Sequence, residues 1–253
     1  DVSICVTYVF MGPENMSDSE SAVYGYNMTT ISAYSVMQMA RDFGFDPKFK
    51  WANDVRINDK KTAGVLADRR EHKFGTSNHR PIIILGIGVN VNVTMEDFRR
   101  EDHLQLSETI TSFKMQTGTT YDMRQAYGSL QQHLIRNLDE LYQSGFAPFK
   151  ARIEPHLETF NHQPRLFDLK DNHDNSPDFA YAAAIVIGLH HDGELLLNID
   201  GRTKEYPAGR LLKEKEITQA EDKLKEEVGK LCLKVQELEG QPDNEQKIAA
   251  TKG

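Results

Sequence analysis

The chain opens on a run of apolar and β-branched positions, residues 2–10, that reads as a strand. Residues 12–20 are rich in turn-forming and charged side chains and predict a surface loop. From 28 to 43 the apolar positions take helical spacing. Met28, Ile31, Val36 (beside Ser35), Met39, Ala40 and Phe43 fall on one face, and Gly44 then Pro47 stop the helix. Residues 48–51 return as a short strand. Residues 55–57 and 62–68 read as a hairpin, with Asn58-Asp59 at the turn because both tolerate positive φ. Pro81-Ile82-Ile83-Ile84-Leu85 is nearly all apolar, which predicts a central strand buried on both faces. Residues 106–114 predict a short helix. Residues 121–144 predict a long one, with Met123, Ala126, Tyr127, Leu130, Leu134, Leu138 and Leu141 at helical spacing and Gly145 ending it. Residues 149–157 read as another short helix, interrupted by Pro155.

Beyond about Gln163 the pattern changes to short strands at 165–170, 181–189, 195–199 and 203–206. The turns His191-Asp192-Gly193 and Asp200-Gly201 join them, as in a small β-barrel or sandwich. Near the end, Ile217, Leu224, Leu231 and Leu238 recur every seven residues, with Val228 and Val235 between them. This stripe reads as an amphipathic helix packed on its own domain, as a coiled coil with another chain, which would make a homo-oligomer, or as a marginally ordered tail. Residues 240–253 are polar and read as disordered.

Composition narrows the function classes. Hydrophobic residues at 39% and charged residues at 27% describe an ordinary globular chain, and 253 residues suffice for one large domain or a medium one plus a small one. The formal net charge of −8 argues against a surface built for a polyanion, while leaving room for a local phosphate site. No apolar run is long enough for a membrane span and no secretory pattern opens the chain, so a cytoplasmic protein without a membrane partner is expected. Cys5 and Cys232 lie far apart, as two reduced thiols would. The sequons at Asn15, Asn27 and Asn92 are read as unmodified. The histidines form no ligand set, so no metal is assigned to side chains. No nucleophile elbow, HExxH or kinase signature occurs.

Three short motifs carry the chemistry: Lys50-Trp51-Ala52-Asn53-Asp54, then Lys61-Thr62-Ala63-Gly64-Val65-Leu66, then Gly86-Ile87-Gly88-Val89-Asn90-Val91-Asn92. Each alone is weak; the glycine motif is neither a Rossmann fingerprint nor a Walker A loop. In this order they resemble the core of a biotin protein ligase, whose pattern runs KWPND, K-x-x-G-(I/V)-L and G-x-G-x-N-x-N. A later run, Gly188-Leu189-His190-His191-Asp192-Gly193-Glu194-Leu195-Leu196-Leu197, is similar to the family's C-terminal SH3-like domain. Two departures stand out: Ala52 takes the place of the family's proline, and the Gly/Arg-rich loop that covers the acyl-adenylate in the family is not found. The chain begins at Asp1, already within a strand, and is expected to be a fragment or a divergent member starting inside the catalytic domain. With no helix-turn-helix segment present, no nucleic-acid partner is expected.

The resemblance implies an α+β fold. A mixed sheet flanked by helices, distantly akin to class II tRNA synthetases, would span residues 1–160 as the catalytic domain. An SH3-like barrel would follow at 161–213 and a helical tail at 214–253. It implies activation of biotin with ATP and Mg²⁺, and transfer to a lysine of a biotin carboxyl carrier domain. Biotin carboxylate and α-phosphate are both anions, so a cation between them is needed; Lys61 fills that role in the resemblance. Asn53 and Asp54 organise the centre, with Asp54 orienting the incoming lysine rather than removing its proton, since its basicity is low. Trp51, Gly64 and Leu66 shape the biotin pocket, and Gly86, Gly88 and Asn90 serve the nucleotide. The alternatives weighed are a lipoate or octanoate ligase, which shares fold and lysine, and a non-catalytic biotin-binding remnant acting through its tail.

Overall fold

The computed structural model describes residues 2–14, 16–74, 78–100, 109–159, 162–168, 181–206 and 210–211. The heptad stripe, the polar end and Cys232 lie outside the described residues.

Strand β1 (Ser3–Met11) leads into helix α1 (Asp18–Asp42). The polar stretch expected as a loop to residue 20 is shorter, because Ser17-x-x-Glu20 is a capping box. The Ser17 backbone N–H donates to Glu20 Oε2 at 2.8 Å and the Glu20 N–H donates to Ser17 Oγ at 3.3 Å. The helix therefore starts ten residues earlier than its apolar face alone suggests. Its buried hydroxyls turn back on the helix: Thr29, Ser32 and Ser35 donate to the carbonyls of Gly25, Met28 and Ile31.

β2 (Lys48–Lys50), β3 (Asp54–Ile57), β4 (Lys60–Phe74) and β5 (Asn78–Asn90) complete a five-stranded sheet of order β1-β5-β4-β3-β2. Asn58 and Asp59 take φ of 47° and 60°, so the expected turn residues do close the β3–β4 hairpin. Every ladder is antiparallel, which corrects the expected mixed sheet. For β2 to β5 the reason is connectivity, since consecutive strands joined by short turns must run antiparallel; β1, which is not joined to β5 by a hairpin, adds to it antiparallel as well. Among the described residues, parallel pairing is confined to isolated bridges, Phe49 with Leu157 and Lys61 with Ile110. A second correction follows. The apolar run at 81–85 is not buried on both faces; Ile83 and Leu85 are buried while Ile82 and Ile84 are only half-buried. Antiparallel sheets commonly cover one face and leave the other accessible.

Helix α2 (Met95–Arg100) follows the sheet. The helix expected at 106–114 is instead α3 (Phe113–Thr117), capped by Ser112, whose backbone is extended; residues 101–108 are not described. α4 (Met123–Ser144) starts where Asp122 accepts the N–H groups of Arg124 and Gln125, and packs along α1. There Asn137 donates to Ser35 Oγ at 2.9 Å. α5 (Ala147–Ile153) runs into a 3₁₀ turn, Glu154–His156. Arg152 fastens α5 to α4 by bonding Glu140, which holds the Glu140 carboxyl below its usual range and raises the guanidinium in turn.

A second antiparallel sheet, order β10-β6-β7-β8-β9, is made by β6 (Arg165–Asp168), β7 (Tyr181–Leu189), β8 (Leu195–Ile199), β9 (Arg202–Tyr206) and β10 (Arg210–Leu211). Among the described residues, Leu189 and Gly193 dock it on the helices. The Leu189 backbone is held at both ends, its N–H by Glu154 Oε1 at 3.0 Å and its carbonyl by Lys150 Nζ at 2.6 Å. In the β7–β8 turn, Gly193 has φ 97°, and a Cβ there would collide with Asn27 Oδ1 of α1.

Candidate active site

The register of the first sheet lines up one open face. Cys5, Gly88, Gly64 and Asp54 lie across it in one row; Thr7, Gly86 and Leu66 lie in the next. A shallow cavity of about 510 Å³ sits over these rows. Its lining includes Cys5, Thr7, Asn53, Lys61, Gly64, Leu66, Gly86 and Gly88. Three glycines thus form the floor, leaving backbone where side chains would fill the space. Leu66 stands at the edge with 68% of its surface exposed.

Lys61 reaches this face through an irregularity. In a regular strand, residues 61 and 64 would point to opposite sides. Between Val55 and Arg56 the β3–β4 register slips: Val55 opposes Ala63 but Arg56 opposes Lys61. The extra residue, Thr62, is buried like Ala63 beside it. This bulge turns Lys61 onto the same face as Gly64 and Leu66. There its Nζ forms an ion pair with Asp54 Oδ1. The pair crosses directly over Gly64: a Cβ at that position would lie 3.0 Å from Lys61 Nζ and 3.1 Å from its Cε. Glycine is the residue that leaves room for the amine.

The remaining expected residues fall out as follows. Asn53 lines the cavity and its carbonyl accepts the Val65 N–H at 3.0 Å. Trp51 is half-buried, packed against the core, and does not line this cavity; the Trp51–Ala52 peptide bond is cis. Asn90 lies on the open face beyond Gly88, opposite Ser3, and donates its amide to the Thr111 carbonyl at 3.1 Å. Cys5 and Thr7 were missed as site residues; strand alternation in β1 carries both to the open face, and that alternation was the available signal. Cys5 is a free, exposed thiol.

Among the described residues, His190, Glu194 and Glu205 bring possible metal-binding atoms within 4.8 Å of one another, as do His190, His191 and Asp192. They sit on the second sheet and line no part of the cavity. Burial, together with the charges of Asp192 and Glu205, pushes the Glu194 carboxyl up. No described helix is long and apolar enough to cross a membrane.

No family model matches the chain. It is 30% identical over 187 residues to the bifunctional ligase/repressor BirA of Bacillus spizizenii, covering 72% of this chain and 51% of that one. The Escherichia coli protein of the same name is 25% identical over 185 residues, with 73% and 52% covered. The chain therefore spans about half the length of the curated relatives it matches. Among solved structures, a mutant biotin protein ligase from Aquifex aeolicus in complex with biotin superimposes with a TM-score of 0.61 at 18% identity, over 85% of this chain and 79% of that one. The same organism's enzyme in complex with biotin and ATP gives 0.59, over 83% and 79%. At that identity these likenesses speak for the fold.

Proposed function

Because the chain belongs to the biotin protein ligase family, we propose that its open-faced cavity activates biotin with ATP and passes the biotinyl group to a lysine of a carrier domain. The observation that carries this reading is the Lys61 amine held over a glycine floor. Two anions have to meet in line, and a cation over bare backbone lets both approach it at once.

In the first step a biotin carboxylate oxygen attacks the α-phosphorus of ATP and pyrophosphate leaves. Lys61 offsets the repulsion between the anions and the charge growing on the phosphoryl oxygens. In the second step the acceptor ammonium loses a proton to solvent, the resulting amine attacks the acyl carbon, the acyl C–O bond breaks and AMP leaves, the remaining amine proton passing to solvent as the amide forms. Asp54 is paired with Lys61 in the free protein. When the biotin carboxylate takes over Lys61, Asp54 becomes available to pair with and orient the acceptor ammonium. Leu66, beside the bare backbone at Gly64, offers an apolar wall for the biotin rings. Asn53, Gly86 and Gly88 serve the nucleotide, and Asn90, which gives one amide hydrogen to the Thr111 carbonyl, still has its second N–H and its Oδ1 to offer.

Magnesium fits as an ion carried by the nucleotide. Among the described residues lining the cavity, Asn53 and Thr7 offer side-chain oxygens but no carboxylate, and the neighbouring Asp54 is engaged by Lys61. Such an ion takes its other ligands from phosphates and water and neutralises the departing pyrophosphate. Residues 1–160 are read as the catalytic unit and 161–213 as an SH3-like one. Self-association through Ile217, Leu224, Val228, Leu231, Val235 and Leu238 belongs to the same reading and is checked by sedimentation.

The direct test is transfer of labelled biotin to a carrier domain with and without Mg·ATP, using this chain and Lys61→Ala. ATP-dependent labelling lost in the variant is expected. Biotin binding without any labelling would replace the ligase reading by that of a non-catalytic biotin-binding protein. Preferential transfer of lipoate would point to the sister activity.

A further inference from the structure

Lys61 lies at the start of β4, where a strand end would fray without lateral support. From Ala63 onward β4 pairs with β5. At Lys61 that neighbour is replaced by the segment before α3. The Lys61 N–H donates to the Thr109 carbonyl, and the Thr111 N–H donates to the Lys61 carbonyl, both at 2.8 Å. Thr111 is buried, and three further groups converge on it or on its partner. Asn90 donates to the Thr111 carbonyl at 3.1 Å. Gln116 Nε2 donates to Thr111 Oγ1 at 2.8 Å. Asn58 Nδ2, from the turn just before Lys61, donates to Gln116 Oε1 at 2.7 Å. The bonds close a ring: Asn58, Gln116, Thr111, Lys61, and back through the turn to Asn58.

We propose that Thr111 and Gln116 are positioning residues for Lys61, forming with Asn58 and Asn90 a polar brace that fixes its backbone so that the amine lies over Gly64. The inference rests on the ligase reading for what the amine does. Asp54 and Gly64 locate the tip of a long, freely rotating side chain; the brace locates its root. A site that has to hold two anions in line needs its cation placed to about 0.5 Å. Neither Thr111 nor Gln116 lines the cavity, so they act on the chemistry through the residues they hold, Lys61 and Asn90, and the Lys61 signal tells the first route from the second. The brace also gives Asn90 a duty apart from any nucleotide contact.

The test uses Thr111→Val, which removes the hydroxyl and keeps the shape, Thr111→Ser, which keeps the hydroxyl, and Gln116→Leu at a position that is not fully buried. Two quantities are measured on the full chain: the single-turnover rate of acyl-adenylate formation, and the NMR signal of the ¹³C-methylated Lys61 amine, identified by its absence in Lys61→Arg. Thr111→Val and Gln116→Leu should slow adenylate formation roughly 10- to 100-fold, the loss expected of a misplaced catalytic group. Biotin and ATP KM values should stay within about twofold, because uniform binding is untouched. The Lys61 signal should move towards that of freely exposed lysines, and Thr111→Ser should keep both rate and signal. Unchanged rate and signal in Thr111→Val and Gln116→Leu, or equal losses in Thr111→Val and Thr111→Ser, would overturn the brace. Should the unaltered chain form no adenylate, the ligase reading fails separately. The Lys61 signal then decides alone, its movement supporting the brace and its constancy refuting it.

Discussion

The two faces of the first sheet are built from the same strands for opposite ends. On one, Ile83, Leu85, Ile87 and Val89 of β5 and Ala63 and Val65 of β4 are buried beneath α1. On the other, the intervening residues are Ile82, Ile84, Gly86, Gly88 and Asn90 of β5 and Gly64 and Leu66 of β4. The first face is continuous side chain. The second loses its side chains in the middle, and the gap is where the cavity lies. An open sheet face becomes a site when glycines expose backbone on adjacent strands and a bulge delivers one cation onto them. Substitutions on the two faces should therefore move different measurements.

The largest effect is expected on the buried face. Leu85→Ala should lower unfolding stability by about 2–5 kcal/mol, read from denaturant midpoints. Whatever protein remains folded should keep its catalytic rate per site. Lys61→Ala should do the reverse. It should lower adenylate formation about 10²–10³-fold, as loss of one charge-stabilising donor does, with little change in melting temperature. Gly64→Ala sharpens the contrast on the open face. Its methyl would stand 3.0 Å from the Lys61 amine, so the rate should fall while stability changes little. A Gly64→Ala enzyme with unaltered rate would show that the amine need not cross that position. Leu66→Ser, at an exposed site, should alter stability by no more than about 0.5 kcal/mol and raise the KM for biotin.

The smallest effect concerns pH. Burial, with the charges of Arg41 and Lys48, lowers the folded-state pKa of His156, opposed by Asp46. The unfolded chain then binds a proton there more readily than the folded one. The His156 contribution is present above the unfolded value of about 6.5 and is lost as pH falls through the folded value. His156→Gln should flatten that part of the stability profile, as thermal melts between neutral and mildly acidic pH would show.

Much of this arrangement was legible in the sequence because its causes are local. Asn58-Asp59 closes a hairpin by its own backbone preference, and the apolar spacing from Met123 to Leu141 delivers α4. The capping box at Ser17–Glu20 was equally local, but the polarity of the stretch masked it. The run at 81–85 misled because its side chains are apolar on both sides; only pairing with β1 and β4 reveals which side is covered. In the site, Lys61, Gly64, Leu66, Gly86 and Gly88 came from motif order, and the fold brings them together. The bulge at Thr62 could not be read, since periodicity would put Lys61 on the wrong face. The brace through Thr111 and Gln116 joins positions far apart in the chain, and no spacing rule connects them.

The account stands on Lys61 bringing a carboxylate and a nucleotide together on the open face. Its most direct test is isotope exchange between pyrophosphate and ATP, followed with and without biotin, in the unaltered chain and in Lys61→Ala. Exchange that requires biotin and is lost in the variant is the predicted result. Exchange that proceeds without biotin, or that survives the loss of Lys61, would contradict it.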